Sequence, residues 1–182
     1  CESPVILAEP LSKNTAPAIA ICVKYILETS DNDETILVVP SDLLIKENEK
    51  FKQTVISAQK YVEEGKIVTF GIKPTYPETG FGYIHSVDNK VTKFTEKPDN
   101  ETVLTYLKDE NYYWNSGIFM FKVSTIMKEL ETHCPDIMNI LQNIKCSDNK
   151  ISFTEFDKMP NISIDYALME KSDNIAMVEL QS

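Results

Sequence analysis

Apolar and polar positions alternate between two periods along this chain. Val5–Ala8 and Ile36–Val39 are short continuous apolar runs, and the second stops at Pro40. A run of that kind suits a strand covered on both faces. Between them, Asn14-Thr15-Ala16-Pro17 has the form of a helix start, a capping side chain followed by an early proline. Ile19, Cys22, Tyr25 and Ile26 continue it at helical spacing, with Cys22 on the apolar face. Phe51, Val55, Ala58 and Val62 form a second helical stripe, and Gly65 is a suitable terminator. Ile67–Ile72 returns to strand character, and Thr75–Gly80 is a loop. Phe81–His85 and Val91–Phe94 form paired strands around Asp88-Asn89-Lys90. A short helix over Thr102–Leu107 follows, then an apolar strand over Ile118–Val123. Helices capped by Ser124, opened by Pro135 and capped by Ser163 come next, and Ile175–Leu180 is the last strand.

Strands alternating with helices predict an α/β fold with a mostly parallel sheet. No internal repeat, low-complexity tract or linker interrupts the chain, which reads as one domain over residues 1–182. The formal net charge of −10 argues against nucleic acid or an anionic membrane as partner. A small anionic substrate stays open, because a metal ion and a few lysines create local positive potential. No apolar run is long enough to span a bilayer and no signal peptide is visible, so the expected location is cytoplasmic. Cys1, Cys22, Cys134 and Cys146 lack zinc spacing, which fits a reducing compartment. His85 and His133 are expected to have no acid or cysteine partner, and the chain carries no GxxxxGK[ST], GxGxxG or GxSxG string.

Four short strings carry the candidate chemistry. Ser41-Asp42 follows the Ile36–Val39 strand, so Asp42 sits at a strand's carboxyl end, where open α/β sheets bind ligands. Its carboxylate could hold Mg²⁺, which takes one or two carboxylates plus substrate phosphates, or could cap a turn. In Pro77–Ile84, Gly80 and Gly82 allow close approach of backbone to a ligand, and Glu78 suits a pair of sugar hydroxyls or a solvated hairpin. Lys97, between Glu96 and Pro98, could reach a phosphate as a mobile point charge or pair with Glu96. Pro98 is expected to hold Lys97 in extended backbone. Asn115, in Trp114-Asn115-Ser116-Gly117 ahead of the Ile118 strand, offers a donor and an acceptor to a sugar hydroxyl. Asp165, near a helix start, could be a cap acid.

In order and spacing these strings resemble the mannose-1-phosphate guanylyltransferase family. Asn14-Thr15-Ala16-Pro17, Phe70–Thr75, Glu96-Lys97-Pro98, Ser163–Ala167 and Met169-Glu170-Lys171 add to the match. The resemblance implies a Rossmann-like, GT-A-like nucleotidyltransferase fold, a mixed and mostly parallel sheet with flanking helices. It implies transfer of GMP from GTP to mannose 1-phosphate, giving GDP-mannose and pyrophosphate. Asp42 would hold Mg²⁺, Lys97 the sugar phosphate, and Glu78 and Asn115 the mannose hydroxyls. Gly82 would allow close backbone approach, Glu96 and Asp165 would lie toward the substrate, and Asn14, Thr15 and Ser41 toward the nucleotide. Lys13 and Leu43 depart from the family pattern, which usually has arginine and often histidine there. The family's glycine-rich GTP loop is expected before residue 1 and its Gly-Trp-Ser-Asp string after Leu180. The chain would then be a piece lacking its N-terminal strands and inactive alone, completed by a homodimer or a separate N-terminal piece. The alternatives are a non-catalytic relic or regulatory partner of a fuller homologue, and a related sugar-1-phosphate nucleotidyltransferase.

Overall fold

The structure is a computed structural model and describes residues 4–146 and 151–180. It divides into two compact units, the first reaching to Glu34 and resuming over Ile126–Lys171, the second spanning Thr35–Thr125 and resuming at Ser172.

In the first unit, α1 (Thr15–Thr29) starts where the sequence predicts, with the Asn14 side chain accepting from the Thr15 N–H at 2.9 Å. Its buried face runs through Ala16, Ile19, Ala20 and Val23, and Cys22 is exposed. Cys22, placed on the apolar face from its spacing and so expected in the core, is therefore corrected to the outer face. Apolar residues surround this helix at Ala18–Val23, so spacing alone could not select its inner stripe. Most of α4 (Val123–His133), with α5 (Pro135–Leu141), α6 (Phe153–Phe156) and a π-helical turn at Asp165–Met169, complete this unit. Val5–Ala8 is not a strand. It has no regular structure, and Val5 and Ile6 are exposed.

The second unit holds β1 (Thr35–Val38), α2 (Asn48–Glu63), β2 (Ile67–Ile72), β3 (Tyr83–Val87), β4 (Lys90–Thr95), α3 (Asn100–Tyr106), β5 (Tyr112–Lys122) and β6 (Ile175–Glu179). The six-stranded sheet runs β1-β5-β2-β6-β4-β3, and β3 also pairs with β5, so five strands close into a ring. Among the described residues only β2 and β6 are parallel, and the other pairings are antiparallel. The sheet is mixed and mostly antiparallel, which corrects the mostly parallel expectation. A continuous apolar run reports coverage of both faces but not direction. Here the two-residue turn at Asp88 and Asn89, both at positive φ, forces β3 and β4 antiparallel. β5 then runs against β1, β2 and β3.

Helix α2 closes on Gly65 at φ 77, with the Gly65 N–H on Val62 O and the Lys66 N–H on Tyr61 O, the Schellman arrangement. Its inner residues Ala58 and Val62 pack with Val68, Phe70, Ile118 and Met120 in one cluster. Phe70 is fully buried, and truncating it to alanine would cost ~3–5 kcal/mol. A second cluster gathers Tyr83, Val103, Tyr106 and Trp114, bringing α3 against β3 and β5.

Candidate active site

In the second unit three of the strings lie in segments that follow β1, β2 and β4. The Trp114-Asn115-Ser116-Gly117 string lies inside β5 rather than ahead of it. Thr69 faces Phe119 and Gly71 faces Asn115, so a two-residue step on β2 is matched by a four-residue step on β5. The excess forms a bulge, and Gly117 takes it up at φ 73. The Asn115 side chain holds the bulge, its Oδ1 accepting from the Gly117 N–H at 3.1 Å and from Thr69 Oγ1 at 3.3 Å. A Cβ on Gly117 would lie 3.2 Å from Pro40 Cγ, so the turn carrying Ser41 and Asp42 packs beside this bulge. Ser41 and Asp42 are exposed, and the Asp42 carboxylate accepts no hydrogen bond among the described residues.

Gly82 is the point of closest packing. A Cβ there would stand 2.5 Å from Glu96 Oε2 and 3.3 Å from Asn115 Cβ. Gly82 O also accepts the Asn115 backbone N–H at 2.8 Å. Three of the expected site residues, Gly82, Glu96 and Asn115, are thus in contact. Lys97 joins them through its Nζ, 3.0 Å from Glu96 Oε1, with the lysine exposed and the glutamate nearly covered. Lys97 has φ 46. The expectation of extended backbone is corrected: a following proline disfavours the right-handed helical region, and the chain turns through the left-handed one. A non-glycine residue held there stores strain, which concentrates at functional positions.

Glu78 lies in the loop between β2 and β3. Its Oε1 accepts the Gly80 N–H at 2.8 Å. The buried Tyr83 hydroxyl accepts from the Glu78 N–H at 3.2 Å and donates to the Glu78 carbonyl at 3.0 Å. Tyr76 and Phe81 bracket the loop, and both set their rings edge-on against Trp114, at 4.9 and 5.4 Å between centroids.

In the first unit, Asn14, Thr15 and Asp165 come together. Thr15 Oγ1 accepts the Ile164 N–H at 2.9 Å, and the Ala16 N–H bonds to Ile162 O. Asp165 opens the π-helical turn beside the start of α1, and its backbone carbonyl accepts the Glu170 N–H.

Sequence reasoning missed three features. Tyr83 and Thr69 escaped notice because their roles depend on contacts across a loop and between strands. The third is His85, whose Nε2 lies 3.1 Å from Asp109 Oδ2 and whose Nδ1 lies 2.5 Å from Thr92 Oγ1. Asp109 is distant in sequence, so the pair left no local signal. The Asn111 N–H, and His85 after it, hold the Asp109 carboxyl below the usual carboxylate range.

The fit to a divalent cation is that of an incomplete site. Among the described residues no group of three or more His, Cys, Asp or Glu side chains could hold a metal. The exposed, uncommitted Asp42 suits the single-carboxylate share of a Mg²⁺ site whose other ligands come from phosphates and water.

Residues 3–159 match the Nucleotidyl transferase family. The mannose-1-phosphate guanylyltransferase of Sinorhizobium fredii is 40% identical over 185 residues, covering 95% of this chain and 36% of that protein. The xanthan biosynthesis protein XanB of Xanthomonas campestris is 42% identical over 189 residues, covering 97% and 40%. A Thermus thermophilus structure described as a mannose-1-phosphate geranyltransferase superposes with a TM-score of 0.85 at 30% identity, over 96% of this chain and 52% of that one. A Helicobacter pylori structure described as a mannose-6-phosphate isomerase superposes with a TM-score of 0.83 at 33% identity, covering 95% and 70%. The chain therefore spans well under half the length of these two curated relatives. No helix among the described residues is long and apolar enough to cross a membrane. With this family match and these relatives, the chain belongs to the nucleotidyl transferase family, among relatives named mannose-1-phosphate guanylyltransferase.

Proposed function

We propose that this chain supplies the sugar-phosphate part of an enzyme that transfers GMP from GTP to mannose 1-phosphate. The observation that carries this reading is the contact of Gly82, Glu96 and Asn115, with Lys97 held beside them in a strained turn. A glycine without a side chain, a nearly covered carboxylate and an amide form a small polar surface suited to hydroxyls. An exposed ammonium at its edge suits a phosphate.

In the reaction, a phosphate oxygen of mannose 1-phosphate forms a bond to the α-phosphorus of GTP. The bond from that phosphorus to the β-phosphate bridging oxygen breaks, and pyrophosphate leaves. Little covalent chemistry falls to the protein, so its task is to position and to neutralise charge. Lys97 would hold the sugar phosphate, exchanging its pairing with Glu96 for the ligand. Glu96, Asn115 and Glu78 would take mannose hydroxyls, and Gly82 lets the sugar approach the backbone. Ser41, Asn14 and Thr15 would serve the nucleotide, and Asp165 would stand near the start of α1 as an acid of that unit. Asp42 would hold Mg²⁺, which when bound offsets the charge of the phosphates.

Calorimetric titration of the purified chain with mannose 1-phosphate tests this reading. The expected result is binding that Lys97→Ala weakens by roughly tenfold, as loss of a charge-assisted contact should. Failure of the wild-type chain to bind would overturn it.

A further inference from the structure

We propose that the Tyr83 hydroxyl is a positioning group for sugar recognition, fixing the Glu78 peptide and through it the Glu78 carboxylate. This rests on the sugar-phosphate reading above. The Glu78 loop has no regular secondary structure between β2 and β3, so nothing in a ladder or helix fixes its backbone. Its order comes from side chains. The Tyr83 hydroxyl uses both of its capacities on one residue, accepting from the Glu78 N–H and donating to the Glu78 carbonyl. This pair of hydrogen bonds to one residue fixes where Cα of Glu78 stands. The carboxylate then turns back onto the Gly80 N–H at 2.8 Å.

Tyr83 can hold this position because its side chain is packed on all sides. Its side chain is fully buried, its residue pairs across the strands with Trp114, and its ring lies 5.7 Å from that of Tyr106 on α3. The loop is anchored on the same wall at both ends, by Tyr76 before Glu78 and Phe81 after it. A buried hydroxyl with two partners is a specific device, since burial without partners would be costly. Loss of the hydroxyl leaves the ring packing intact and frees only the loop. The site would keep Lys97, Glu96 and Asn115 and lose the fixed Glu78.

The test is Tyr83→Phe in the purified chain, read by three measurements. Affinity for mannose 1-phosphate should fall ~5–10-fold, the range expected for one fixed hydrogen-bonding group. Affinity for inorganic phosphate, which engages Lys97, should not change. Exchange of the Gly80 amide hydrogen, which reports on the Glu78 carboxylate, should accelerate ~10-fold because a local opening becomes easier. Unchanged mannose 1-phosphate affinity, or an unchanged Gly80 exchange rate, would overturn the proposal. An equal loss for both ligands, with a large fall in melting temperature, would also overturn it by showing a role in folding alone. If the wild-type chain binds no mannose 1-phosphate, the proposed function falls, and Gly80 exchange still decides whether Tyr83 holds the loop.

Discussion

Two loops leave strands of the same unit, and they are built in opposite ways. The loop carrying Glu78 is pinned by the Tyr83 hydroxyl in its middle and by two rings on Trp114 at its ends. Among the described residues the loop carrying Asp42 has one long backbone bond, Leu43 N–H to Pro40 O at 3.4 Å. Behind it lies an apolar cavity of about 270 Å³ between Leu43, Ile45, Phe51, Ile72 and Leu180. Leu44 is 78% exposed. The first loop is organised by the protein itself. The second is held at Leu43, which packs against the core, and at Pro40, which lies beside Gly117, while Asp42 and Leu44 stand exposed. A site that must recognise one sugar gains from a rigid surface, because ordering costs are met on folding rather than on binding. A carboxylate awaiting a metal and phosphates needs no such rigidity.

The sharpest way to break this contrast is at Gly82. A methyl group there would enter the space between Glu96 and Asn115, with Asn115 Cβ only 3.3 Å away. Gly82→Ala should abolish measurable mannose 1-phosphate binding while costing ~1–3 kcal/mol of stability, the usual penalty of overpacking. Calorimetry and thermal denaturation on one sample separate the two effects. Retained binding would remove Gly82 from the site.

Next is Gly117, where the bulge of β5 meets the Asp42 turn. At φ 73 an alanine costs ~1–2 kcal/mol, and its Cβ would also press on Pro40. Gly117→Ala should lower the melting temperature and alter the Asp42 loop more than the Glu78 loop. Amide exchange across both loops would show it. Equal disturbance of the two would mean they are not independent.

These features were unequally legible in the sequence. The helix starting at Thr15, the stop at Gly65 and the β3–β4 turn were all readable, because each rests on local chemistry: an Asn cap, a C-terminal glycine, and Asp88-Asn89. Strand direction was not, since Ile36–Val39 looks the same in either orientation. The Val5–Ala8 run failed as a strand because an apolar run needs a pairing partner as well as composition. Gly82, Lys97 and Asn115 are legible as candidates from residue type and position, and Glu96 from the family resemblance, but their mutual contacts depend on strand register. Tyr83 had no signal at all, because a buried tyrosine in a strand usually reads as core.

Mg²⁺ gives a smaller and more discriminating effect. With Asp42 as a single exposed carboxylate, the chain alone should bind Mg²⁺ weakly, with a dissociation constant of roughly millimolar order or above. Titration followed by chemical shifts at Asp42 would measure it. Tight stoichiometric binding abolished by Asp42→Asn would show that the Asp42 loop is already a formed site.

The smallest effect concerns the wall behind Tyr83. Asp99 caps α3 by accepting the Thr102 N–H at 2.8 Å, and that backbone bond holds its carboxyl below the usual carboxylate range. A lowered carboxyl contributes stability above its unfolded value, near 4, and loses it as pH falls through the lower folded value. Asp99→Ala should therefore lower the melting temperature slightly at neutral pH, with the difference from wild type vanishing in strong acid. A constant difference across pH would exclude the cap as its origin.

The most direct measurement is the emission of Trp114, the only tryptophan in the chain, during titration with mannose 1-phosphate. Its indole carries the rings of Tyr76 and Phe81 that bracket Glu78. If the Glu78 loop is a preformed sugar surface, ligand should change the emission saturably with little shift in wavelength, and GTP alone should leave it unchanged. No response to mannose 1-phosphate, or a large red shift showing the loop leaving Trp114 on binding, would contradict a rigid sugar-phosphate site.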